Sequence, residues 1–202
     1  MPRAAAAAVA SICWAGLGVQ YAATYANVQD VGGTLWILLR FFTVLTNLLV
    51  ALAMTAIALG RRVPPFWQGA LTLAILLVGI VYITLLRGLV ELSGGAILAD
   101  ALLHRVSPIA TALYWLMFAP HRQLKWSNPL WWSLYPLAYF GYALTRGGMD
   151  GRYPYPFMDV GKLGVGQTAL NAAAMALCFI VAGVALVWLD RRLPLGSASA
   201  TD

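Results

Sequence analysis

The sequence predicts an all-α integral membrane protein with six transmembrane helices, both termini cytoplasmic and no soluble domain. Three observations lead there. Of 202 residues, 61% are hydrophobic and only 10% charged, with a mean hydropathy of +0.78; a soluble domain carries about 25% charged residues. Twenty charges, 13 basic and 7 acidic, cannot cover a soluble surface of this size. The apolar residues also gather into runs of bilayer length, and the basic residues alternate between the breaks. A cytosolic globular enzyme, a disordered chain and a disulfide scaffold are thereby excluded. The net charge of +6 suggests no nucleic-acid partner, because the cations do not cluster.

A hydrocarbon core of about 30 Å takes roughly 20 apolar residues per helix. The runs that meet this length are 4–26, 36–60, 66–90, 97–119, 129–146 and 164–190. They are predicted to be helices because lipid cannot satisfy an open strand edge. The first has an early Arg3 and an Ala-rich centre, as a signal peptide has, but its apolar run exceeds the usual h-region. The breaks carry turn residues: Asp30–Gly33, Gly60–Pro65, Ser93–Gly95, Pro120–Pro129 and Gly147–Pro156. A single domain therefore covers 1–195, and 196–202 reads as a disordered tail. Arg3, Arg61, Arg62, Arg122, Lys125, Arg191 and Arg192 flank the even loops and the termini. The positive-inside rule makes that side cytoplasmic and the chain a multi-pass protein of the cell (inner) membrane. Cys13 and Cys178 fall in apolar runs and read as buried thiols.

Polar residues within spans are costly and become functional candidates. At 100° per residue, Arg40, Thr43 and Asn47 of the second span lie within about 60°. Thr84, Arg87 and Glu91 share a face of the third, and Asp100, His104, Ser107 and Thr111 form a stripe on the fourth. Gln20, Thr24 and Asn27 do so in the first, Tyr135, Tyr139, Tyr142 and Arg146 in the fifth, Gln167 and Asn171 in the sixth. Most fall in the outer half, which suggests a shared cavity open toward the outer leaflet. Any one stripe also serves as helix–helix glue. His104 is the only histidine inside a span, with Asp100 one turn earlier on the same face.

Metal and haem chemistry fail on counting. There is one intramembrane histidine, no HExxH and no CxxC. Paired intramembrane aspartates and a GxSxG elbow are missing too. A hydroxyl–imidazole pair is open to the chain. Thr43 and His104 sit at similar depth on different helices, His suits general-base work near neutral pH, and Asp100 is placed to orient it. The competing reading of Thr43 is a hydroxyl bonded to the Leu39 carbonyl.

Three landmarks carry a resemblance: Arg40-Phe41-Phe42-Thr43; Leu102-Leu103-His104 with Pro108 one turn on; and Tyr155-Pro156-Phe157-Met158-Asp159. Together with span count and order, they resemble the androgen-induced-protein family of six-span membrane proteins. Its characterised animal members are atypical threonine hydrolases of fatty acid esters of hydroxy fatty acids. The resemblance implies Thr43 as nucleophile, His104 as base, no cofactor and no metal. It also implies a lipid ester substrate entering from the bilayer lipids. Asp100 stands where animal members carry Asn, and Thr46 occupies the spacing of the family's Asn, with Asn47 following. Asn47 and Arg40 are then candidates for the oxyanion or a substrate carboxylate, with Arg87, Glu91 and Asp159 as further supporting residues. The alternative is a non-enzymatic membrane protein that binds or transports a small amphiphile.

Overall fold

A computed structural model describes residues 1–89 and 91–194, and among these the chain is all-helical with no strand. The expected tail, 196–202, lies outside the described residues. Two compact units divide the chain: residues 1–123 with the segment after 192, and residues 124–192.

The first unit opens with α1 (Pro2–Val28), then α2 (Val31–Leu38) and α3 (Phe42–Ala58). Gln29 closes α1 in the left-handed region, and the Asp30 carboxylate caps α2 by accepting from the Gly33 N–H. The second predicted span is not one helix. The axes of α2 and α3 bend by 96° at Leu39–Phe41, where Phe41 is extended. Next comes α4 (Pro65–Val81), started by Pro65, whose missing N–H costs nothing at that position. It runs into a π-helical turn at Tyr82–Leu86, closed by the Arg87 N–H on the Tyr82 carbonyl. Helix α5 (Gly95–Ala101), a second π turn (Leu102–Val106) and α6 (Ser107–Phe118) complete the unit.

Its core joins Ala6, Val9, Ala10 and Cys13 of α1 to Val50, Ala51 and Met54 of α3, Ile75 and Val78 of α4, and Tyr114 of α6. Small residues along α1 allow close approach, which matters where water supplies no hydrophobic drive between helices. Two glycines press on the second π turn. A Cβ at Gly16 would stand 2.8 Å from Leu103 Cδ2, and one at Gly79 3.2 Å from the His104 carbonyl oxygen.

The second unit holds α7 (Asn128–Trp132), α8 (Leu134–Asp150), a 3₁₀ turn at Pro156–Met158 and α9 (Val160–Arg192). Gly164, at φ 75°, kinks α9 near its start. Asn171 Nδ2 donates to the Phe157 carbonyl at 2.9 Å, tying the Tyr155–Asp159 loop to α9. The buried Asp190 accepts from the Leu124 N–H at 3.1 Å.

Four helical stretches are long and apolar enough to cross a membrane: Pro2–Val28, Pro65–Leu86, Gly95–Phe118 and Val160–Arg192. The bent pair α2–α3 makes a fifth if it counts as one span. The fifth predicted segment, 129–146, falls on α7 and α8; α8 has 17 residues, about 26 Å at 1.5 Å each, short of a hydrocarbon core. Large apolar side chains such as Leu52, Ile80, Ile109, Met117, Leu170 and Val181 point outward. Apolar surface on that scale suits lipid, not water. Cys13 is buried as expected, whereas Cys178 is exposed on the outer face of α9.

Candidate functional site

Asn47, Tyr82, Asp100, His104, Arg105 and Ser107 of the first unit gather around the second π turn. That turn follows from the sequence at Pro108. With the Ser107 N–H on the Leu102 carbonyl, the next residue should donate to Leu103 or His104. Pro108 has no N–H, so neither carbonyl receives one from it. Side chains take the Leu103 oxygen instead: Asn47 Nδ2 donates to it at 3.2 Å and Ser107 Oγ at 3.2 Å. Asn47 Nδ2 also donates to the Thr43 carbonyl at 2.9 Å, and Ser107 Oγ donates to Asn47 Oδ1. Asn47 and Ser107 are fully buried. Asn47 thus bolts α3, one turn beyond Thr43, to the residue before His104.

These bonds revise one expectation. Both N–H bonds of the Asn47 amide are spent, so Asn47 has none to offer an oxyanion. It bridges helices.

Asp100 and His104 meet as their spacing predicts. His104 Nδ1 lies 3.2 Å from Asp100 Oδ1 and 3.3 Å from the Asp100 carbonyl oxygen. Both groups only accept, so Nδ1 carries a proton, and in the neutral ring Nε2 then keeps its lone pair. No hydrogen-bond partner meets Nε2 among the described residues. The other carboxylate oxygen, Oδ2, accepts from the Tyr82 hydroxyl at 2.7 Å and from Arg105 Nη2 at 3.2 Å. Asp100 is 8% exposed, and a buried carboxylate needs such donors. The Tyr82 ring stacks on the imidazole, centroids 4.3 Å apart and planes 19° from parallel. The expected stripe of Asp100, His104, Ser107 and Thr111 is interrupted. The extra residue of the π turn rotates the downstream helix by about 100°, so Asp100 and His104 pair with each other while Ser107 turns to α3.

Thr43 is buried in the first turn of α3. Thr34, Thr55, Thr111 and Thr168 each donate to the carbonyl four residues earlier. Thr43 makes no such bond among the described residues, because its fourth-preceding residue, Leu39, lies within the 96° bend, outside α3. Among the same residues no hydrogen bond joins the Thr43 hydroxyl to His104.

The remaining candidates lie on other segments of the chain. Arg40 is buried in the bend itself, so it shares no helical stripe with Thr43 and Asn47. Arg87 and Glu91 lie beyond the end of the π turn that extends α4; Arg87 is extended and both are exposed, so they do not pair as i, i+4 on a helix. Thr84, predicted beside them, bonds the Ile80 carbonyl. Asp159, in the second unit, caps the start of α9: Oδ1 accepts from the Lys162 N–H at 3.2 Å and Oδ2 lies 3.4 Å from Lys162 Nζ. In that unit Arg146 is buried, donates to the Tyr142 hydroxyl at 2.7 Å and lies over its ring.

Sequence reasoning misses Tyr82 and Arg105. Tyr82 falls outside the polar stripe that α-helical phase defines on its span. Arg105, one residue past His104, falls off the stripe of the fourth span. Pro108 is the available signal that the phase breaks here. Among the described residues no group of three or more His, Cys, Asp or Glu is arranged to hold a metal. Compared with family models, curated proteins and solved structures, the chain matches none.

Proposed function

We propose that the chain is a hydrolase of lipid esters working within the membrane, with Thr43 as nucleophile and His104 as base. The reading includes six spans, both termini cytoplasmic and a place in the cell (inner) membrane. The observation that carries it is the Asp100–His104 pair, whose protonated Nδ1 rests on a carboxylate while Nε2 stays open. Asn47 fastens this pair to the helix that carries Thr43. The landmark motifs add the substrate class, esters of long-chain fatty acids.

In this reading Nε2 takes the Thr43 hydroxyl proton as Oγ1 bonds to the ester carbonyl carbon. The tetrahedral oxyanion forms near the start of α3, where the helix dipole is positive. Collapse breaks the bond to the alcohol oxygen, which leaves with the proton from Nε2. Water then gives a proton to Nε2 and attacks the acyl-enzyme; the acyl–Oγ1 bond breaks, Nε2 returns the proton to Thr43 Oγ1, and the fatty acid leaves. Catalytic hydrogen bonds often tighten only when substrate binds, which accommodates the unjoined Thr43 and His104.

Hydrolysis of a branched fatty ester by purified protein in lipid nanodiscs tests the reading. Wild type should turn over while Thr43→Ala and His104→Ala fall to background. Saturable binding of the ester without turnover by wild type favours the amphiphile-binding alternative instead.

A further inference from the structure

We propose that Tyr82 is the positioning residue of the site, holding Asp100 by its hydroxyl and His104 by its ring. This deepens the ester-hydrolase reading and rests on it for its kinetic part only. Two independent contacts carry the inference. The Tyr82 hydroxyl donates to Asp100 Oδ2 at 2.7 Å. Its ring lies nearly parallel to the imidazole, 4.3 Å away between centroids.

Each contact fixes a different freedom. A carboxylate rotates about its last bond unless an oxygen is held. With Oδ2 held by Tyr82 and Arg105, Oδ1 is left facing His104 Nδ1 at 3.2 Å. An imidazole also rotates about its last bond, over a broad, shallow well. A parallel ring at stacking distance removes that rotation and fixes the direction of the Nε2 lone pair. Arg105 shares only the first task, and its side chain is 47% exposed while Tyr82 is 8% exposed. Tyr82 begins one π turn and His104 sits within the other. Such turns are uncommon and concentrate at functional sites, where the extra residue re-aims a side chain.

A merely structural Tyr82 would satisfy its hydroxyl on Asp100 and leave the imidazole unaffected by its loss. The full-length protein, labelled with ring-¹⁵N histidine in nanodiscs, separates the two. Only His104 and His121 contribute signals, and the pair missing from His104→Gln belongs to His104. Wild type should show the Nδ1–H tautomer at neutral pH. Tyr82→Phe keeps the ring and loses the hydroxyl; Tyr82→Leu loses both. Stepwise loss of the single tautomer, from wild type to Phe to Leu, is the expected result. His104 signals identical in all three proteins would overturn the proposal, and the Phe variant decides alone should Tyr82→Leu not fold. In turnover, Tyr82→Phe should lower kcat about tenfold with KM within about twofold, a fraction of the roughly 10²–10⁴-fold a general base supplies. The tautomer readout needs no substrate. Failure of the hydrolase reading would therefore appear as absent wild-type turnover with the tautomer pattern intact.

Discussion

At the residue scale, the site turns on which polar atoms are already committed. Asn47 spends both donors and its acceptor on the Thr43 carbonyl, the Leu103 carbonyl and Ser107. Asn47→Ala should therefore lower stability by about 1–2 kcal/mol, the upper end for hydrogen bonds between membrane helices. Denaturant titration in mixed micelles reads this, and unchanged stability would remove Asn47 from the bridge. Thr43 differs in that its hydroxyl makes no hydrogen bond among the described residues. Thr43→Ser should retain activity, since the hydroxyl persists. His104→Ala should be as inactive as Thr43→Ala, and the double variant no worse, because residues acting as one unit are strongly non-additive. Losses that multiply in the double variant would show two independent contributions. The Asp100–His104 pair was legible from i, i+4 spacing. Tyr82 was not, because its reach across to Asp100 depends on a helix crossing that no local pattern encodes.

At the element scale, the breaks in helical geometry place the candidate residues. The 96° bend puts Thr43 at a helix start, and the π turn ahead of Pro108 turns Ser107 away from the Asp100–His104 face. Turn residues such as Asp30, Gly60, Pro65 and Gly151 marked the helix ends in the sequence. The bend at Leu39–Phe41 carries no Gly or Pro, so apolar periodicity ran straight through it and counted one span. Arg40 lies in that bend and therefore off the face that Thr43 and Asn47 share. Gly79 is a sharper test of this scale. A methyl there would meet the His104 carbonyl at 3.2 Å and Pro108 Cβ at 3.3 Å, both on backbone or a rigid ring. Gly79→Ala should cost about 1–3 kcal/mol by overpacking and shift the His104 ring signals. Gly18→Ala, where nothing lies within 4 Å, is the matched control and should leave both unchanged. Equal behaviour of the two variants would contradict the tight crossing of α4 over the π turn.

At the scale of the whole molecule, composition alone disclosed the apolar helices, because twenty charges leave too little polar surface for water. The number of crossings is harder to read, since α8 is short and α2–α3 is bent. The proposed six-span topology predicts where engineered cysteines react in inverted and right-side-out vesicles, after Cys13 and Cys178 are replaced. Sites beside Arg61–Arg62 and Arg122–Lys125 should label from the cytoplasmic side, and sites in 150–159 from the other. Labelling of all three from one side would contradict the six-span arrangement.

In the proposed function, His104 activates Thr43 toward an acyl group. The most direct measurement is mass spectrometry of the intact protein and its peptides after treatment with a long-chain alkyl fluorophosphonate. One adduct per chain is expected, on Thr43, lost in His104→Ala although the threonine remains. A wild-type protein left unmodified, or an adduct that forms equally in His104→Ala, would contradict it.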